Sequence, residues 1–249
     1  MNLELQAASV VKSGRPILDR ADIALVPGSF LAICGPNGAG KSTALSLLDG
    51  SERPTSGKVT LEGRSLSSIG RGELARRRAV VPQRHLLSFP FLVHEVVAMG
   101  RMPHERRSTR HQDEAICREA MALLDIAPLA ERNYLTLSGG ERQRVMIARA
   151  LAQVWEPSDE GARYLLLDEP TAALDLKYQI KLMKLLKRLA GEGWAIGAVL
   201  HDLGLVRRWC DEVLLMKDGR VAAEGLPADM LTADRLAEIF DLDEPYTVE

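Results

Sequence analysis

The chain has 249 residues, 46% of them hydrophobic and 27% charged, and a formal net charge of −2. That length allows one large domain or two small ones with a sizeable core, and the near-neutral charge gives no global reason to expect nucleic acid. No apolar stretch approaches the ~20 residues of a membrane span, no signal-peptide pattern opens the chain, and Cys34, Cys117 and Cys210 are far apart, so a reduced, cytoplasmic protein is expected.

In chain order, Asn2 to Ala7 alternates polar and apolar residues, as a half-buried strand does. Ile17-Leu18 and Ile23 to Val26 read as short extended pieces, and Pro27-Gly28 turns the chain into the apolar run Phe30 to Ile33. A glycine-rich turn follows, and Lys41-Ser42 opens a helix pattern. Lys58 to Leu61 alternates into Glu62-Gly63, a hairpin signal, and Glu73 to Arg77 is a short helical piece. The strand Ala79 to Val81 is ended by Pro82. From Arg84 to Ala152 the pattern is helical, with helices at Val93 to Met99, Gln112 to Leu124 and Ser138 to Leu151. Strand runs return at Tyr164 to Leu167, Ala195 to Leu200 and Val213 to Met216, alternating with helices at Leu174 to Ala190 and Leu203 to Cys210. Asp218-Gly219 makes a hairpin, and two short helices near Pro227 to Met230 and Ala233 to Phe240 close the chain. The order predicts an α/β fold: a parallel sheet joined to a small antiparallel one and interrupted by a helical insertion.

The chemistry concentrates in three stretches. Gly35-Pro36-Asn37-Gly38-Ala39-Gly40-Lys41-Ser42-Thr43 fits the G-x-x-x-x-G-K-[ST] phosphate loop. Glycines let backbone N–H groups curl around phosphate oxygens, and the helix opening at Lys41 points its positive end at the same anion. In such a loop Lys41 reaches the β- and γ-phosphates and Ser42 places its hydroxyl on Mg²⁺, so ATP and Mg²⁺ are the expected cofactors. The buried strand Leu165-Leu166-Leu167 ends in Asp168-Glu169, one carboxylate for the metal and one to take a proton from attacking water. Leu137-Ser138-Gly139-Gly140-Glu141 is a capping box whose glycines leave a helix N-terminus bare for an anion.

With these stretches in order, the chain resembles the ABC (ATP-binding cassette) ATPases over nearly its whole length. The resemblance makes Leu137 to Glu141 the signature, Gln83 the Q-loop, Asp168-Glu169 the Walker B pair, Ala173-Leu174-Asp175 the D-loop and His201 the switch histidine. It implies a P-loop NTPase core over 1–83 and 155–249 with an antiparallel β-subdomain, and a helical subdomain over 84–154, all one nucleotide-binding domain. It also implies Glu169, His201 and Gln83 as catalytic residues, and Ser42, Gln83 and Asp168 around the metal. The nucleotide is expected on residues 35–43 of one copy and on Ser138, Gly139 and Gly140 of a second, head-to-tail copy. One departure stands out: members of the family usually stack adenine on an aromatic residue before the phosphate loop, and Val10 to Arg15 contains none.

Lacking fused membrane helices and an added C-terminal domain, the chain looks like the separate ATPase subunit of a bacterial importer. Val81 to His104 and Ala152 to Leu167 resemble the haem (hemin) importer ATPases, with siderophore and cobalamin importer subunits close behind. The implied partners are integral-membrane permease subunits, met near Gln83 and the apolar segment Leu86 to Leu92, and indirectly a solute-binding protein. The implied location is the cytoplasmic face of the inner membrane. A reading of another class is a soluble scaffold ATPase of iron–sulfur cluster assembly. His85, His94, His104 and His111 fall in the insertion at spacings that fit no ligand pair on one helix or strand, and the basic runs Arg76 to Arg78 and Arg106-Arg107 read as solvated faces.

Overall fold

The computed structural model describes residues 2–83, 87–157 and 161–248. Two sheets organise it. The first is antiparallel, in the order β2 (Arg15–Leu25), β1 (Leu3–Lys12), β4 (Ser56–Leu61), β5 (Arg64–Ser65). The two extended pieces expected between Ile17 and Val26 are one eleven-residue strand. Register shifts against β1 between Leu5 and Ala8 and again beyond it bend this strand, which breaks the alternation that a sequence reading relies on.

The second sheet has six strands, in the order β10 (Arg220–Gly225), β9 (Glu212–Lys217), β3 (Phe30–Cys34), β8 (Ala195–Val199), β7 (Tyr164–Asp168), β6 (Arg78–Val81). All neighbours are parallel except β9 and β10. Both faces of this sheet are covered, which is why β3, β7 and β8 are buried along their entire length. Strand alternation sorts their side chains. Leu31, Ile33, Leu166 and Leu214 join a cluster with the antiparallel sheet and α1 (Lys41–Leu48). Phe30, Ala32, Leu165, Leu167 and Leu215 join the helices on the other face.

Those helices include α6 (Leu176–Gly191), whose Leu182, Leu186 and Leu189 make a stripe at helical spacing. They also include α3 (Val93–Ala98), α4 (Arg110–Leu123) and α5 (Gly139–Gln153), which lie between β6 and β7 in the chain. Val96, Ala120 and Ile147 from these three share one apolar cluster with the sheet. The short helices α2 (Arg71–Arg77), α7 (Leu203–Trp209), α8 (Pro227–Met230) and α9 (Ala233–Phe240) complete the fold. Among the described residues no helix is long and apolar enough to cross a membrane.

Candidate nucleotide site

The site forms along the carboxyl ends of the parallel strands, where α/β sheets bind ligands. Parallel register decides which residues meet there. Ile33 of β3 and Asp168 of β7 both pair with Val199 of β8, while Leu167 pairs with Val81 of β6. Residues that follow these positions therefore emerge side by side: the loop from Gly35, His201, Glu169 and Gln83.

In the loop, Lys41 donates to the carbonyl oxygens of Gly35 at 2.7 Å and Pro36 at 2.8 Å. Its side chain is 6% exposed, and burial lowers its pKa against the opposing pull of nearby Cys34, Glu169 and Asp168. The Cys34 thiol is pushed up to about 12 by burial, so it is neutral at physiological pH and the two carboxylates supply the counter-charge. Asn37, Gly38 and Ser42 are exposed, Ala39 is buried, and Thr43 is half-buried. Gly40 has φ +94°, and a Cβ there would meet the Ile17 carbonyl oxygen at 2.9 Å and the Gly219 Cα at 3.5 Å. The Asp218-Gly219 turn thus backs the phosphate loop. Its turn chemistry is legible in the sequence, but its place behind Gly40 is not.

Asp168 bonds to the Ser42 side chain, and its other carboxylate oxygen, Oδ1, is buried with no protein partner. Burial raises its pKa, and the Ser42 bond works against that rise. Glu169 stands one residue past β7 at φ +50°, a left-handed conformation uncommon for glutamate. This turns its carboxylate onto His201, whose Nε2 donates to Oε1 at 2.8 Å, and Gln83 also bonds to it. Burial works to raise the Glu169 pKa, but the bonds from His201 and Gln83 outweigh it and hold the carboxyl below the usual 4.5. Ser42, Gln83, Asp168, Glu169 and His201 are thus brought together.

Ser138, Gly139 and Gly140 have different neighbours. Ser138 caps α5, its hydroxyl accepting from Glu141 N at 3.3 Å while the Glu141 carboxylate takes the Ser138 N–H at 2.8 Å. The Ser138 backbone bond is the first cause that holds the Glu141 carboxyl below its ordinary value. A Cβ on Gly140 would sit 2.9 Å from the Ala173 carbonyl oxygen, so glycine is what lets the signature pack on the backbone of Ala173. Asp175, beside it, caps α6 by accepting from Tyr178 N.

The sequence pattern of the family described as ABC transporter matches residues 18–172. The chain belongs to the ABC transporter ATPase family. This cassette is 46% identical to the hemin import ATP-binding protein HmuV of Gloeobacter violaceus over 240 residues, 96% of this chain and 87% of the relative. It is 44% identical to the protein of the same name from Hahella chejuensis over 95% of this chain and 91% of that one. A dimeric bacterial ABC transporter cassette superposes with a TM-score of 0.79 at 29% identity, over 90% of this chain and 98% of that one. A post-hydrolysis dimer of a cassette bound to ADP and Pi gives 0.79 at 28% identity, again over 90% and 98%.

Elsewhere in the cassette, Val10 to Arg15 forms the β1–β2 hairpin end, with Val11 47% exposed and its N–H bonded to Thr55 Oγ1. His85 and Leu86 lie outside the described residues. His104 is buried with Nε2 on the Gln153 carbonyl at 2.8 Å, and burial lowers its pKa. His111 is exposed on α4. Among the described residues no group of three or more His, Cys, Asp or Glu is arranged to hold a metal ion.

Proposed function

We propose that this chain is the ATP-hydrolysing subunit of a haem importer, working as a head-to-tail pair beneath two permease subunits at the cytoplasmic face of the inner membrane. The observation that carries the haem reading is the match to hemin import ATP-binding proteins over almost the entire chain. The helical segment 84–154 acts as the subdomain that moves against the core, with Gln83 at its entry.

Each site residue has a role in this reading. The backbone of residues 35–43 cradles the phosphates, and Lys41 exchanges its two loop carbonyls for the β- and γ-phosphates. Ser42, Asp168 and Gln83 fit a magnesium ion: the Asp168 Oδ1, buried and unpartnered, is a carboxylate oxygen awaiting a cation. When bound, that ion neutralises phosphate charge. Glu169, kept ionised by His201 and Gln83, takes a proton from the attacking water. His201 holds that carboxylate in place and sits where the γ-phosphate arrives. The bare N-terminus of α5, with Ser138, Gly139 and Gly140, faces the γ-phosphate held by the second copy.

The test is reconstitution. The chain is assembled with its permease in liposomes, and ATP-driven uptake is measured for hemin, a ferric siderophore and cobalamin. Hemin uptake above the other two supports the reading; equal or absent hemin uptake overturns the cargo. Purification with soluble partners alone would overturn the importer assignment.

A further inference from the structure

One aromatic ring sits where the helix that Ser138 caps meets α6. Arg144 lies one turn beyond Gly140 on α5, so the two residues share a face of that helix. Its guanidinium stacks over the Tyr178 ring, 3.9 Å from the centroid and inside the ~6 Å reach of a cation–π contact. Tyr178 stands in the first turn of α6.

The Arg144 side chain is buried. Its Nη1 donates to the carbonyl oxygens of Leu124 at 2.8 Å and Asp125 at 3.0 Å, where α4 ends. Its Nε is buried without a hydrogen-bond acceptor. Among the described residues no carboxylate forms an ion pair with this guanidinium. A buried cation is costly unless its charge is offset, and the face of Tyr178 is the group placed to offset it. The Tyr178 hydroxyl makes no hydrogen bond among the described residues, so the ring is the part that acts.

The same first turn of α6 holds the loop before it. Asp175 accepts from Tyr178 N at 3.1 Å. Gln179 Nε2 donates to the carbonyl oxygens of Thr171 at 3.2 Å and Leu174 at 3.0 Å. That loop presents the Ala173 carbonyl oxygen on which Gly140 packs. The contacts close a ring: Gly140 on Ala173, residues 171–175 on the start of α6, and Tyr178 on Arg144. Packing at Gly140 limits approach, but dispersion there does little to hold the parts together. Lys181 pairs with the Asp125 carboxylate beside the ring, yet both side chains are exposed and such a pair contributes little. The stack is the strong attractive tie.

We propose that Arg144 and Tyr178 are positioning residues for hydrolysis: their stack fixes the Ser138–Gly140 end of α5 to the 171–175 loop, so that both meet the second copy as one unit. The proposal rests on the shared-site reading above. Groups that must meet a γ-phosphate tolerate little displacement, since an error of about 1 Å costs on the order of 10²-fold in rate. Neither residue belongs to the phosphate loop, so the nucleotide affinity of a single copy is independent of the stack.

The experiment uses the full chain carrying Glu169→Gln and measures its monomer–dimer equilibrium in ATP by analytical ultracentrifugation. Tyr178→Leu and Arg144→Gln should each weaken the dimer by roughly fivefold or more, the scale of one desolvated cation–π contact. The double variant should be no weaker than either single one, because both remove the same contact. Tyr178→Phe keeps the ring and should match the parent. With Glu169 restored, Tyr178→Leu should lower kcat and leave the monomer's affinity for a fluorescent ATP analogue unchanged; a merely structural contact would lower the melting temperature and spare the dimer. A Tyr178→Leu dimer as strong as the parent, additive losses in the double variant, or a Tyr178→Phe dimer as weak as Tyr178→Leu overturns the proposal. If Arg144→Gln melts below the assay temperature, the comparison of Tyr178→Leu with Tyr178→Phe decides alone. Ser138→Arg separates the two readings. A strong dimer in that variant overturns the shared site itself, whereas its loss beside an unaffected Tyr178→Leu overturns the role of the stack alone.

Discussion

His201 Nε2 donates to Glu169 Oε1 at 2.8 Å across two adjacent strands, β8 and β7, although 32 residues separate them in the chain. Their contact follows from the register that pairs Asp168 with Val199 and from the left-handed backbone at Glu169. Under the proposed roles, the residue that accepts the proton is positioned by the residue that meets the γ-phosphate, and their effects on turnover should be coupled.

Glu169→Gln keeps the shape and the bond geometry and removes the basicity. Turnover should fall by roughly 10²–10⁴-fold, the range for loss of a general base. ATP binding should remain, and the variant should accumulate as an ATP-bound dimer, read by gel filtration with and without ATP. Native turnover in this variant would reject Glu169 as the base.

Removing His201 should move the acid limb of activity. Hydrogen bonds to a carboxylate favour its charged form, so they lower its pKa. Burial alone would raise the Glu169 pKa, and without the His201 bond that effect is less opposed. In His201→Ala the acid limb of kcat/KM should shift to higher pH than in the native protein, besides any loss of maximal rate. A pH–rate profile from pH 4 to 8 measures it, and an unmoved acid limb would count against the bond's role.

The shared site should be visible by complementation. Lys41→Ala should lose nucleotide affinity, because the ammonium proposed to meet the phosphates is gone. Ser138→Arg should bind ATP as a monomer without hydrolysing it, since its side chain blocks the helix end that meets the second copy's phosphate. A mixture of the two can build one complete site from Lys41 of one and Ser138 of the other. Recovery of ATP-dependent dimer in the mixture, seen by light scattering, is the expected outcome. Normal hydrolysis by Ser138→Arg alone would refute a shared site.

Nucleotide selectivity should be loose. No aromatic residue lies between Val10 and Arg15, and the hairpin end there presents Val11, half exposed. Stacking on an aromatic is worth ~1–3 kcal/mol per base in nucleic-acid systems, so without it the base contributes little and the phosphate contacts, which ATP and GTP share, dominate binding. GTP and ATP should support turnover within about tenfold, that is ~1.4 kcal/mol. Steady-state rates with both nucleotides decide this, and a preference beyond a hundredfold would require another adenine-recognising residue.

The sequence by itself determined the glycine-rich loop between β3 and α1, the carboxylates that end β7, the capped start of α5 and most of the order of strands and helices. These are local matters: glycine freedom, a side-chain cap three residues from its partner, and apolar period are all written within a few neighbouring residues. It did not determine that Gln83, Glu169 and His201 share hydrogen bonds, because strand order and register in a parallel sheet are set by packing between distant segments. Nor did it reveal the single bent strand β2, whose register shifts blur alternation, or the Gly219 backbone pressed behind Gly40. His94 shows the difference most plainly. Its spacing to other histidines reads as solvated or structural, and only the fold brings the Ala130 carbonyl within 3.1 Å of its Nδ1, because that contact joins segments far apart in the chain.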